Sequence, residues 1–400
     1  MTQLLTEIRS HFRSGLLGLR GDKGDDVFIV NVPPLEVYDK VQLTILEATS
    51  GGKALVAAEP LVGQSGQLSL KVRWFHNAFG KIRYRIEAFS KAAFNTAPAD
   101  GAHWQSVQDK IANGHQDGVH GFYLKRVGGN VVLACNEELI FDPASSIKVL
   151  VHAHALRRLQ ADAVSLDTTV IPIPGNLTLP QPRGVNCPFD EENSATDTLP
   201  LTLRRALEAM MLRSRNAPTE AIRRFFGAGN VQNTARDVGL NNTRYDNAPG
   251  CGQNKTTLVD LGKLYEAAAT SGRAFHTSPL ALNWATFIEL AWHEPIPEMD
   301  AIVAAAAPGL GPSIVDTHRR LVTNVNKSGR GGDQTGQKIS LAGYIALPFR
   351  ARRGGGIGMQ EFVYGVFVDK ASGFAAGFKQ VEVLMEMLRP AIGESVGSLG

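Results

Sequence analysis

The stretch "FDPASSIKVL", Phe141 to Leu150, sets two serines ahead of a lysine at the start of an apolar run. Ser145 stands three residues before Lys148, so on a helix the two side chains share a face, whereas Ser146 points elsewhere. Local signals predict that helix. Asp142 can cap its first turn, Pro143 suits its first position, and "VLVHAHALRRLQ" continues with apolar residues at helical spacing. In the first turn, unpaired N–H groups and the positive end of the helix dipole favour developing negative charge. A hydroxyl beside a lysine there is a candidate nucleophile and base. The same spacing in "SGGK", Ser50 to Lys53, lies in a glycine-rich turn, so the assignment depends on partners elsewhere in the chain.

Working outward, 400 residues predict two domains, and 44% hydrophobic and 20% charged residues predict ordinary globular folding. A net charge of +3 gives no argument for nucleic acid or an anionic membrane surface as partner. No apolar run is long enough to span a membrane. The opening "MTQLLTEIRSHFRSGLLGLRG" reads as an amphipathic helical segment over residues 1–24, without the apolar core and cleavage site of a signal peptide. The expected location is therefore the cytoplasm, or an exported compartment if a leader has been removed. Cys135, Cys187 and Cys251 form no metal-spaced cluster; reduced thiols are expected, with a Cys187–Cys251 bridge as the alternative. His152 and His154, two apart on the predicted helix, diverge, and no H-E-x-x-H occurs, so no metal or other cofactor is expected.

Residues 25–95 alternate at period two through five short runs, from "VFIVNV" to "KIRYRIEAFS", which predicts a small all-β, sandwich-like domain. After the linker "NTAPADGA" the pattern changes. Residues 101–400 read as a helix, two strands, the helix bearing Ser145, a helical and loop-rich middle, three strands and a closing helix, "KQVEVLMEMLRPAI". Strands at both ends with helices between imply an α/β domain whose sheet is assembled from both ends of the segment.

Two further motifs follow Ser145. Ser214-Arg215-Asn216 lies between two predicted helices, the second opened by Pro218, and Lys327-Ser328-Gly329 ends a predicted strand. The order S-x-x-K, S-x-N, K-[ST]-G resembles the active-site serine family of β-lactamases and penicillin-binding proteins. The resemblance covers about residues 101–400, with "TRYD" and "NKTTLVDLGKLYEAA" resembling the start of the family's omega loop and the helix after it. It implies a β-lactamase/transpeptidase-like fold, an antiparallel sheet plus a helical lobe with the site between them.

By the same resemblance, Ser145 attacks a carbonyl, Lys148 is its base, and the N–H groups of Ser145 and Arg330 hold the oxyanion. Ser214 relays a proton, Asn216 binds the substrate amide, and Lys327 with Ser328 and Gly329 receives a carboxylate. The expected partner is a small-molecule or peptide acyl donor, a β-lactam or D-alanyl-D-alanine-like compound. After Thr243-Arg244-Tyr245-Asp246 the chain departs from the class A pattern, with no further carboxylate before Asp260. Poor deacylation is expected, Asp246 pairing with Arg244 rather than activating water. An esterase or amidase on the same scaffold, and a receptor that stays acylated or simply binds, remain the alternatives.

Overall fold

The structure, a computed structural model, describes residues 3–13, 24–31, 38–48, 54–60, 67–74, 80–90, 101–114, 119–172, 200–227, 229–245, 254–271, 278–293, 296–309, 312–333, 336–350, 357–371 and 380–399. The N-terminal region holds six strands, β1 (Gln3–Arg13), β2 (Gly24–Asn31), β3 (Tyr38–Ala48), β4 (Ala54–Pro60), β5 (Gln67–Trp74) and β6 (Gly80–Ser90). They form two antiparallel sheets, ordered β1-β6-β3 and β2-β5-β4. The expected N-terminal helix is thus a strand. Leu4, Ile8 and Phe12 are spaced by four, which fits a helix face and one face of a strand equally, and pairing with β6 decides for the strand. Residues 3–13 therefore share a sheet with 38–48 and 80–90 instead of standing apart.

The rest begins with α1 (Gly101–Gly114), β7 (Val119–Arg126) and β8 (Val131–Cys135), then a 3₁₀ turn over Ala144–Ile147 that runs into α2 (Lys148–Asp162). A short pair, β9 (Val170–Ile171) and β10 (Leu201–Thr202), leads to α3 (Leu203–Leu212), α4 (Asn216–Phe225), α5 (Asn230–Asp237) and α6 (Leu258–Ala269). There follow α7 (Trp284–Ala291), α8 (Glu298–Ala306), α9 (Pro312–Leu321), β11 (Thr323–Asp333), β12 (Gly336–Arg350), β13 (Ile357–Ala371) and α10 (Gln380–Leu399). The closing helix runs through Pro390, as expected, and ends at Leu399 where Ile392 was the expected end.

The central antiparallel sheet has the order β11-β12-β13-β7-β8, assembled from both ends of the segment as expected. Alternate residues serve opposite layers. Tyr123, Ala342, Tyr344 and Phe367 pack with α2, α3, α6 and α7, while Phe122, Leu341, Ile345 and Phe362 pack with α1, α8 and α10. Helices on both faces explain why "ISLAGYIALPF" is apolar nearly throughout. The site lies at the β11 edge of this sheet.

The two α2 histidines diverge as expected and belong to the core. His152 is fully buried, its Nε2 at 3.3 Å from the Phe287 carbonyl, and His154 Nδ1 lies 2.8 Å from Thr234 Oγ1. Burial lowers both from an ordinary 6.5 to about 4. A base whose folded pKa lies below its unfolded one is neutral in the fold, so its contribution is present above 6.5 and is lost as pH falls toward 4. The loss is on the order of 2 kcal/mol per histidine. His152→Met should blunt this acid lability, read as a smaller difference in urea-unfolding free energy between about pH 7 and pH 5.

Candidate active site

The nucleophile turn is tied at both ends. Phe141 and Thr256 exchange backbone hydrogen bonds of 2.8 and 3.0 Å, and Asp142 Oδ1 accepts from the Ala144 N–H at 2.9 Å. Lys338 on β12 donates to Asp142 Oδ2 at 2.8 Å. Asp142 and Pro143 thus do not open the α-helix as expected: Pro143 is the N-cap of a 3₁₀ turn that precedes α2, and Asp142 bonds the N–H two residues on from just outside it. Residues three apart eclipse one another in such a turn, which keeps Ser145 in register with Lys148. Ala144, just before Ser145, holds φ +45°, a conformation that costs a non-glycine residue strain. Ser146 is fully buried and its hydroxyl donates to the Pro143 carbonyl at 2.8 Å, whereas Ser145 is only half-buried.

Lys148 is fully buried at the first position of α2. Its Nζ donates to the Ser214 carbonyl, and the Ser214 hydroxyl lies 3.3 Å away. Ser214 itself adopts φ +59°, so the lysine holds the carbonyl of a strained residue in the turn between α3 and α4. Asn216 is the first residue of α4, two earlier than the expected start at Pro218. The structure thus joins the first two motifs through Lys148.

The third motif lies on β11 against the nucleophile turn. A Cβ on Gly329 would come within 2.5 Å of the Ser145 N and of Ser340 Oγ, and within 2.8 Å of the Pro143 carbonyl. Only glycine allows this approach. Ser340 Oγ donates to the same Pro143 carbonyl at 2.6 Å. Lys327 is buried and donates to the Ser328 carbonyl at 2.9 Å, while Ser328 and Arg330 are exposed. Burial pushes the Lys327 ammonium down from 10.5 to about 8.

Arg244 and Lys255 exchange backbone hydrogen bonds of 2.8 and 2.9 Å and so close the loop between them. Asp260 lies buried at its base, accepting from the Asn242 N–H at 2.8 Å and from Thr243 Oγ1 at 2.9 Å. Glu220 on α4 is buried and paired with Arg223 at 2.6 Å and Arg224 at 2.7 Å. Among the described residues, no group of three potential ligands is arranged to hold a metal. Asp246, Cys187 and Cys251, with the pairings expected of them, and the "SGGK" turn lie outside the described residues.

Sequence reading missed the parts that come from far along the chain. Lys338 and Ser340, which brace Asp142 and Pro143, lie in an apolar strand about 200 residues later and belong to no motif. His293, which leaves α7 beside β11, has no local signal either; its surroundings appear only once Trp292 pairs with Val325.

The half-buried Ser145 in its tight turn, the buried Lys148 behind it, the strained Ser214 and the strand bearing Lys327 are the parts that the motifs named. Residues 104–280 match the model of the β-lactamase enzyme family. No curated protein matches the chain. A solved β-lactamase of Chitinophaga pinensis is similar to it at 15% identity and TM-score 0.52, over 72% of this chain and 99% of that one. A variant of the penicillin-binding protein PBP-A, in acyl-enzyme complex with penicillin G, is similar at 18% identity and TM-score 0.50, over 73% of this chain and 96% of that one. The domain thus has the β-lactamase-like fold that the motifs implied, and residues 104–280 are similar to the β-lactamase enzyme family.

Lys327 carries a measurable cost. Its folded pKa of about 8 lies below the unfolded 10.5, so the penalty for burying its charge is fully present below about 8 and fades as pH rises to 10.5. Lys327→Met should therefore raise the unfolding free energy near pH 7, by about 1–3 kcal/mol. Thermal denaturation should show the gain shrinking above about pH 10; a gain independent of pH would contradict the electrostatic origin.

Proposed function

We propose that the protein forms an acyl-enzyme through Ser145 with a β-lactam or D-alanyl-D-alanine-like acyl donor and releases it slowly. The observation that carries this reading is the hold of Lys148 on Ser214, beside a nucleophile turn against which Gly329 lies in backbone contact. Lys148 takes the Ser145 hydroxyl proton as Oγ attacks the carbonyl carbon. The resulting oxyanion is held by the Ser145 and Arg330 N–H groups. As the acyl C–N bond breaks, the leaving nitrogen receives a proton from the Ser214 hydroxyl, which regains one from Lys148. Asn216 binds the acyl amide, and Lys327, with Ser328 and Gly329, receives the substrate carboxylate.

Slow release is supported by three carboxylates among the described residues. Asp142, Glu220 and Asp260 are each engaged in holding backbone or in ion pairs, which suits them poorly to activating water. The penicillin acyl-enzyme of the PBP-A variant supports the same substrate class for this chain.

Intact-protein mass followed after mixing with benzylpenicillin tests the proposal. A long-lived adduct of one penicillin is expected on the wild type and on Ser146→Ala, and none on Ser145→Ala. Gly329→Ala should slow its formation at least about tenfold by pushing β11 off the turn. An adduct retained by Ser145→Ala would refute the nucleophile, and one that disappears within seconds would refute slow release.

A further inference from the structure

Lys338 and Ser340 on β12 stand opposite Gly331 and Gly329 of β11, so neither has a side chain beside it on that strand. Alternate residues of a strand share a face, and both side chains reach past these glycines to the nucleophile turn. There they meet a single peptide group, Pro143–Ala144, from its two ends. Its carbonyl accepts from Ser340 Oγ at 2.6 Å, from Ser146 Oγ at 2.8 Å and from the Ser146 N–H at 3.0 Å. Its N–H donates to Asp142 Oδ1 at 2.9 Å, and Lys338 holds the other oxygen of that carboxylate at 2.8 Å. The side chains of Lys338 and Asp142 are 8% and 12% exposed, so water does not readily replace either partner. The next N–H along the chain, that of Ser145, has no acceptor among the described residues, unlike those of Ala144 and Ser146 on either side.

We infer that this clamp aims the Ser145 N–H into the oxyanion hole, and that Lys338 and Ser340 are positioning residues for acyl transfer. The inference rests on the functional reading above for the reaction it serves, but not for the geometry of the turn. A peptide group is planar, so fixing its C=O and its N–H fixes the plane. Only the φ and ψ of Ala144 then separate that plane from the Ala144–Ser145 peptide, which carries the oxyanion donor, and φ is held at +45°. Alanine rarely adopts that conformation and relaxes from it when the surroundings no longer impose it. Relaxation swings the Ser145 N–H, because rotation about the N–Cα bond of Ala144 turns the peptide that follows. Gly329 sets the other side of the hole. The Ser145 N lies 2.5 Å from where its Cβ would be, and Arg330, the next residue, carries the second donor assigned above. The two donors converge only while the turn keeps this orientation. A donor held in place stabilises charge that develops in the transition state, and does little for a bound substrate whose carbonyl is still neutral. Loss of the clamp therefore slows acylation without weakening the encounter that precedes it.

Acylation of the full chain by benzylpenicillin tests this, with the saturated rate and the pre-covalent dissociation constant measured separately in Ser340→Ala, Lys338→Met and Lys338→Arg. Ser340→Ala and Lys338→Met should each lower the saturated rate about tenfold, short of the roughly 10²–10³-fold cost of removing an oxyanion donor outright, and move the dissociation constant by less than about twofold. Lys338→Arg keeps a donor for Asp142 and should recover most of the rate. Phenylboronic acid should lose affinity in step with the rate: Ser145 Oγ adds to its boron as the hydroxyl proton passes to Lys148, which leaves a tetrahedral anion like that of the transition state. A loss that falls on the dissociation constant or on the fraction labelled at long times, or that is as large in Lys338→Arg as in Lys338→Met, overturns the inference. Should Lys338→Met not fold, Ser340→Ala decides, since it removes one of three donors to the carbonyl and no charge. The residual dipolar coupling of the Ser145 N–H reports the direction of that bond and needs no substrate. It should change in Ser340→Ala while the couplings of β11 and β12 stay as they are, and an unchanged value overturns the clamp whatever penicillin does. Failure of penicillin to label the wild type overturns the acyl-hydrolase reading instead, and the coupling still decides for the clamp.

Discussion

The active site depends on one close approach, the backbone of β11 at Gly329 against the backbone of the turn that carries Ser145. Side chains keep most neighbouring elements about 8–10 Å apart; here there is no room even for a methyl group. The contact is possible because the turn is drawn onto the sheet from below. Ser340 holds the Pro143 carbonyl, Lys338 holds Asp142, and the Asp142 carboxylate in turn fixes the Ala144 N–H. These bonds over-determine the turn, which is what lets Ala144 persist at positive φ.

The same logic applies on the helical side. Ser214 also holds a positive φ, and its carbonyl is the acceptor for a buried lysine. Burying Lys148 and Lys327 beside strained backbone lowers stability, and the two hydrophobic layers that cover both faces of the sheet offset that cost. Strain and buried charge are concentrated where chain segments meet, away from those apolar layers.

The contrast between what was legible in the sequence and what was not follows the range of the forces involved. The different placement of Ser145 and Ser146 is legible because three-residue spacing has one meaning on a helix or a 3₁₀ turn: Ser146, off the register of Lys148, is buried against the Pro143 carbonyl. The origin of the sheet at both ends of the domain is legible from period-two runs. Leu4, Ile8 and Phe12 misled because a spacing of four satisfies both periods, and only β6, some 70 residues away, decides between them. The 3₁₀ geometry of the nucleophile turn depends on Lys338 and Ser340, 196 and 197 residues from their partners. His293 is invisible for the same reason. Its place beside β11 comes from the Trp292–Val325 bridge, and nothing in "LAWHEPIP" encodes that.

The parts assigned to acyl transfer lie on the sheet edge, the Ser145 turn and the Ser214 turn, which are cross-braced to one another. The loop closed by the Arg244–Lys255 pair is held by other bonds. Asp260 anchors the base of that loop from below, through bonds to Asn242 and Thr243, and so belongs to its scaffold. The bonds of Asp260 are thus separate from those that brace the Ser145 turn. Moving Asp260 off Asn242 and Thr243 would cost the bonds that hold that backbone, which suits the carboxylate to support and not to proton transfer.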